Sequence, residues 1–248
     1  MPLFRLSERI EFPPAWLARS DGLLCIGGDL TPKRLIMAYE NGIFPWFSQN
    51  EPILWWSPDP RLVLDPSHIK ISRSLKKKIK KSPFTIRLNT AFEQTIMACA
   101  QPRQSRDEGT WLVDGMIEAY ISLHKMGYAH SVETWEDNRL VGGLYGVSLG
   151  KSFFGESMFS RKADASKIAL VALAGHLGTH KFDMIDCQVT TNHLLRMGAK
   201  EMSRDNFLDT LNRSVAANVP NHLWKPDQCL TPSVNTQEKK ALQIICRE

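Results

Sequence analysis

Residues 129–160 read Ala-His-Ser-Val-Glu-Thr-Trp-Glu-Asp-Asn-Arg-Leu-Val-Gly-Gly-Leu-Tyr-Gly-Val-Ser-Leu-Gly-Lys-Ser-Phe-Phe-Gly-Glu-Ser-Met-Phe-Ser. Strand-like runs at His130–Trp135, Leu140–Val147 and Ser152–Phe159 are joined by Glu136-Asp137-Asn138-Arg139 and by Leu149-Gly150-Lys151. Both connections are of hairpin length, so the stretch predicts an antiparallel meander of three strands. Ala163–Leu177 follows as an apolar helix, and Phe182–Val189 as a strand with polar interruptions.

Working outward, Leu62–Leu64 and Phe84–Leu88 read as strands, and Ser72–Lys80, Ala91–Cys99 and Val113–Met126 as helices. Downstream, His193–Met197 is a short helix closed by Gly198. Ser203–Val215 is a longer one, with Ser203 as cap and Asp205 in its first turn. Near the start, Thr31-Pro32 before Lys33–Asn41, with Gly42 behind, combines a cap, a proline at the first helical position and a glycine stop. Together these elements predict an α+β chain with a mixed, mainly antiparallel sheet.

Residues 42–61 hold three of the seven tryptophans (Trp46, Trp55, Trp56) among four prolines. Proline fixes φ and removes donors, so rigid turns are expected there rather than a long helix. The rings suit either a hydrophobic plug between two lobes or a wall on which a base stacks. The division expected is a small N-terminal α/β domain at 1–61, a catalytic domain at 62–232 and a polar tail at 233–248.

With 43% hydrophobic and 23% charged residues the composition is that of an ordinary globular protein. No apolar run approaches the roughly 20 residues a bilayer span needs. The first residues lack the apolar core of a signal peptide, so a cytoplasmic location is expected. Five scattered cysteines without a Cys-x-x-Cys pair argue against a disulfide framework and a structural zinc. Between Ser67 and Phe92 stand Lys70, Arg73, Lys76, Lys77, Lys78, Lys80, Lys81 and Arg87, with no acid among them. Such a run is either a solvated helix face or a contact for a phosphate backbone.

The order of elements resembles the acetyl-coenzyme A-dependent N-acetyltransferase (GNAT) fold. That fold holds a pyrophosphate in a glycine-rich loop before the helix that follows the meander. Residues 158–167, Met-Phe-Ser-Arg-Lys-Ala-Asp-Ala-Ser-Lys, contain no glycine to let the backbone approach a phosphate. Coenzyme A is therefore not expected as acyl donor.

Collinear segments resemble the leucyl/phenylalanyl-tRNA–protein transferases: Gly22-Leu-Leu-Cys-Ile-Gly-Gly-Asp-Leu30, Gly42-Ile-Phe-Pro-Trp-Phe-Ser48 and Ile53-Leu-Trp-Trp-Ser-Pro-Asp-Pro-Arg61. Further matches are Glu108-Gly-Thr-Trp111, Ala129-His-Ser-Val-Glu133, Val141-Gly-Gly-Leu-Tyr-Gly146, Phe154-Gly-Glu-Ser-Met-Phe-Ser160 and Ile185-Asp-Cys-Gln188. The resemblance covers about residues 20–230. It implies transfer of Leu or Phe (possibly Met) from aminoacyl-tRNA to an N-terminal Arg or Lys of acceptor proteins, which marks them for degradation by the N-end rule. The ester is already activated, so no cofactor or metal is implied.

The resemblance assigns catalysis to Asp186, Gln188 and Glu156, with Asp186 orienting Gln188. In a strand, residues two apart share a face, which would align Asp186 with Gln188. A neutral amide is too weak a base to hold a proton, so Gln188 is expected to aim the amine while the adenosine 2′-hydroxyl or water relays the proton. Leu144, Phe153, Met158 and Ile185, on the central strands, are the candidates for an apolar donor pocket. Trp46 and Trp111 are those for the aminoacyl-adenosine, while Trp55 and Trp56 are expected to pack the lobe seam. Lys70, Arg73, Lys76, Lys77, Lys78, Lys80 and Lys81 would meet the tRNA backbone. Nothing requires more than a monomer. The rival readings are a coenzyme A-dependent N-acyltransferase, an RNA-binding module, and a metal hydrolase built from Asp186, Cys187 and His193.

Overall fold

The computed structural model describes residues 3–101, 112–220, 222–226 and 228–232. The N-terminal part contains β1 (Phe4–Leu6), β2 (Leu23–Gly27), α1 (Pro32–Glu40), β3 (Phe44–Pro45) and β4 (Leu54–Trp56). These strands form a sheet in the order β1-β2-β4-β3. The tryptophan-proline segment thus holds two short strands between its turns and, as expected, no long helix. Thr31 stands at the N-cap of α1 without a capping bond, because its hydroxyl donates to Asp29 instead. The stop after α1 is Gly42, at φ +71°. A Cβ there would lie 2.6 Å from Leu208 and 2.9 Å from Phe207, so only glycine fits.

The rest of the chain runs β5 (Arg61–Leu64), α2 (Arg73–Lys81), β6 (Thr85–Leu88), α3 (Phe92–Ala100), α4 (Asp114–Lys125), β7 (Ala129–Glu136), β8 (Arg139–Leu149) and β9 (Ser152–Ser160). It continues through α5 (Ala165–Thr179), β10 (Met184–Gln188), α6 (Asn192–Arg196), β11 (Lys200–Met202), α7 (Arg204–Val215) and β12 (Cys229–Leu230). The expected meander is present. Its first turn is Asp137-Asn138, both at positive φ (50° and 58°), the conformation a two-residue hairpin requires. β11 and β12 were not anticipated, being three and two residues of little apolar pattern laid on the sheet edges.

The second sheet has eight strands in the order β11-β5-β10-β9-β8-β7-β6-β12. Only β9 and β10 run parallel, with α5 as the crossover between them. They pair through Ser152–Phe154 and Met184–Asp186. Beyond that point β9 continues to Ser160 without β10, and the two strands part in a V. A meander followed by a helical crossover into a splayed parallel neighbour is the N-acetyltransferase-like arrangement expected from the element order.

Alternate residues feed two cores. Val63, Tyr145, Phe154 and Met184 join one with α1, α3, α4, α7 and the four-stranded sheet. Leu62, Leu144, Phe153 and Ile185 join the other with α2 and α5. Among the described residues no helix is long and apolar enough to cross a membrane.

Candidate active site

The V between β9 and β10 opens into a cavity of about 600 Å³. Leu144, Phe153, Met158 and Ile185 line it, as do Leu170 and Leu173 of α5. The two α5 leucines escaped the sequence reading because eleven of the helix's fifteen residues are buried. A helix apolar on every side gives no phase from which to pick the row that faces a cavity. Opposite stand Phe44, Pro45 and Trp46 of the β3 segment. Trp46 is 45% exposed at the mouth, braced by Trp56, whose indole donates to the Trp46 carbonyl at 2.7 Å. Trp55 is fully buried in the core and donates to the Gly27 carbonyl. Trp111 lies outside the described residues.

Gln188 and Glu156 both reach the cavity, whereas Asp186 is fully buried behind it. Both Asp186 oxygens are held by the Arg61 guanidinium, at 2.9 and 2.7 Å. Arg61 lies between the rings of Phe44 and Phe207 and donates also to the Gly42 carbonyl. A two-pronged guanidinium–carboxylate contact of this kind fixes geometry as well as charge. Among the described residues no three His, Cys, Asp or Glu side chains are grouped to hold a metal ion, so the hydrolase constellation of Asp186, Cys187 and His193 is not assembled.

The expected Asp186–Gln188 pairing needs correction. The ladder is irregular between them, and Gln188 sits at φ +63°, a conformation a non-glycine residue adopts only under local constraint. Simple alternation therefore does not carry across the pair. Asp186 accepts a bond from the Gln188 backbone N–H at 2.9 Å, and so orients its main chain. The Gln188 amide is held instead by Glu156, through Nε2 to Oε1 at 2.8 Å. With one Nε2 proton so committed, the amide still offers a ligand its oxygen and its second N–H.

Glu156 Oε2 accepts from the Tyr120 hydroxyl at 2.6 Å, and Tyr120 in turn meets the Tyr39 hydroxyl at 2.6 Å. Burial pushes the Glu156 carboxyl up to about 7, against the Tyr120 and Tyr39 hydroxyls and the Gln188 amide, which favour its ionised form. Burial also drives both phenols well above their usual range, so they remain neutral donors. Tyr39 and Tyr120 carry no motif of their own and could be found only in the folded protein.

On α2, Ser72 caps the helix and Leu75 is its buried residue. Lys70, Arg73, Lys77, Lys78, Lys80 and Lys81 are exposed, and Lys76 is half-buried. Lys78 is drawn to Asp164, which Lys167 also contacts at 2.6 Å, so it is less available to a phosphate than its neighbours. Asp164 precedes α5 at φ +68°, and Lys167 and Lys78 hold its carboxyl below the usual range. Asp164 is the N-cap residue of α5, but its carboxylate makes no capping bond there and is held by the two lysines.

Residues 63–212 match the leucyl/phenylalanyl-tRNA protein transferase family, and residues 28–59 match the N-terminal domain of the same transferases. A leucyl/phenylalanyl-tRNA–protein transferase of Desulforapulum autotrophicum is 57% identical over 224 residues, covering 90% of this chain and 98% of that protein. One of Syntrophobacter fumaroxidans is 54% identical over 229 residues, covering 92% and 98%. A solved GCN5-related N-acetyltransferase-like protein of Streptococcus suis aligns at 13% identity and a TM-score of 0.35, over 67% of this chain and 62% of that one.

Proposed function

Since the chain belongs to the leucyl/phenylalanyl-tRNA–protein transferase family, we propose that it takes leucine or phenylalanine from the 3′ end of aminoacyl-tRNA and joins it to an N-terminal Arg or Lys of acceptor proteins. The observation that carries this reading is the cavity itself, apolar at its base and lined at one side by Glu156 and Gln188. The donor side chain enters between Leu144, Phe153, Met158, Ile185, Leu170 and Leu173. Its ester carbonyl then lies by the two polar groups, and the adenosine lies against Trp46.

In the reaction the acceptor α-amine attacks the ester carbonyl, a C–N bond forms, and the C–O bond to the ribose breaks. The proton lost by the amine ends on the departing ribose oxygen. An α-amino group has a pKa of about 7.7–8.0, so positioning is a larger need than strong base. The Gln188 oxygen accepts a hydrogen bond from the amine and aims it. The adenosine 2′-hydroxyl or a water passes the proton on. Glu156 holds the amide in the orientation that presents that oxygen, and its negative charge suits a cationic acceptor residue. Asp186, locked to Arg61, keeps the strained Gln188 backbone in place.

An apolar cavity separates side chains that differ by a methylene by only about 1–3 kcal/mol, which fits acceptance of both leucine and phenylalanine. The basic side chains of α2 meet tRNA phosphates without regard to sequence, as an enzyme using several tRNAs requires. The same reading makes the protein a cytoplasmic monomer with its lobe boundary near Arg61. The test is incubation of the purified protein with Phe-tRNA and a peptide beginning with Arg or Lys. Formation of the Phe-extended peptide is expected, and its absence with intact Phe-tRNA would overturn the assignment.

A further inference from the structure

The run from Tyr39 to Trp46 supports both carboxyls and also forms a wall of the cavity. Its Gly42 carbonyl accepts from Arg61 behind Asp186, at 3.2 Å. Its Tyr39 hydroxyl meets Tyr120 behind Glu156, and its Phe44, Pro45 and Trp46 face the cavity. A phenol has one proton to give, and Tyr120 donates its own to Glu156. Tyr39 is therefore the donor to Tyr120. The result is an ordered chain, Tyr39 to Tyr120 to Glu156, with Gln188 donating to the other carboxylate oxygen. Both phenols are fully buried, and Tyr39 packs at 4.9 Å against Phe154, the strand residue two before Glu156. In so dry a setting each donor strengthens the next.

We infer that Tyr39 is a positioning residue for the transfer reaction: through Tyr120 it holds the Glu156 carboxylate, and with it the Gln188 amide, in the geometry that receives the acceptor amine. The inference rests on the transferase reading of the cavity. The groups that face Glu156 are Tyr39 from α1, Tyr120 from α4, Tyr145 from β8 and Asp186, with Arg61 behind it, and Gln188 from β10. His193 of α6 stands on the cavity wall. Of these, only the Tyr39 hydroxyl comes from α1, and Tyr39 is not among the residues that line the cavity. Its loss removes a bond that favours the ionised Glu156, so the carboxyl should hold its proton to higher pH.

Tyr39→Phe in the full-length protein separates this role from packing, because the ring remains. A carbon-13 titration of the Glu156 carboxyl, without tRNA, should show a rise of about half to one pH unit. Turnover at pH 7 should fall about two- to sixfold at an unchanged KM for Phe-tRNA, and recover as pH is raised. In a Glu156→Gln background the same substitution should change turnover by less than twofold. An unmoved Glu156 titration, or an equal loss in the Glu156→Gln background, would overturn the inference. Should Tyr39→Phe not fold, Tyr120→Phe cuts the chain one bond closer and must raise the Glu156 titration more strongly. The titration needs no transfer, so a wild-type protein inactive with Phe-tRNA would sink the transferase reading and leave this result standing.

Discussion

The two carboxyl neighbourhoods of the site are built on opposite principles. Asp186 is sealed in the core against a guanidinium that uses both its oxygens. Glu156 faces the cavity and has only neutral donors, two phenol-linked bonds on one side and an amide on the other. A carboxylate closed by a two-pronged guanidinium is fixed in place, and so serves as a strut. One held by neutral donors in a dry setting sits near its titration point, and so can respond to an incoming amine. Neighbouring strands thus carry a rigid carboxylate and a responsive one.

The largest effect should come from breaking the strut. Asp186→Ala leaves a buried guanidinium unpaired and should lower stability by about 3–5 kcal/mol. Glu156→Gln keeps volume and neutral bonding, and should cost little stability. Chemical denaturation of both variants checks this, and equal losses would erase the distinction between the two sites.

A smaller effect is expected at the cavity base. A Cβ at Gly155 would lie 3.6 Å from the Asp186 carbonyl and 3.9 Å from Ile185, so it fits the fold. Because Gly155 lines the cavity, Gly155→Ala should narrow it and lower phenylalanine transfer relative to leucine by roughly tenfold, a pocket effect of about 1–3 kcal/mol. Competition between Phe-tRNA and Leu-tRNA measures that ratio, and an unchanged ratio would move the donor pocket away from the V.

The smallest effect extends the comparison to a third carboxyl. Glu133 is fully buried, bonded by Ser131 and by the Thr90 and Ala91 amides at the start of α3, and burial pushes it up to about 7. A carboxyl whose folded pKa lies above its ordinary value binds its proton more tightly in the folded state. Its contribution to stability is full below about pH 4.5 and is lost as pH rises through about 7. Thermal melts of Glu133→Gln against wild type should therefore move in favour of the variant between pH 5 and pH 8. A difference independent of pH would mean that Glu133 does not change its protonation over this range.

Much of the cavity wall was legible before folding. The meander places Leu144, Phe153 and Met158 on central strands, but Phe153 and Met158 are an odd number of residues apart and share the cavity only because the β8–β9 register shifts between Tyr145 and Gly146. Alternation failed at Gln188, where the ladder breaks and the backbone turns left-handed. It could not reach Leu170 and Leu173, because α5 has no polar face to set its phase. The basic character of α2 was plain in the sequence, but the pairing of Lys78 with Asp164 was not, since the two stand 86 positions apart.

Local pattern was enough for the meander strands and the crossover helix, since each depends on residues a few positions apart, while the polar groups came with the family resemblance. Family resemblance added the reaction. Which carboxyl is a strut and which is responsive was decided only by tertiary structure. Arg61 reaches Asp186 across 125 positions, and Tyr39 reaches Tyr120 across 81. Charge state in a protein interior follows from desolvation and from the partners that close around a group, and those partners are chosen when distant segments pack.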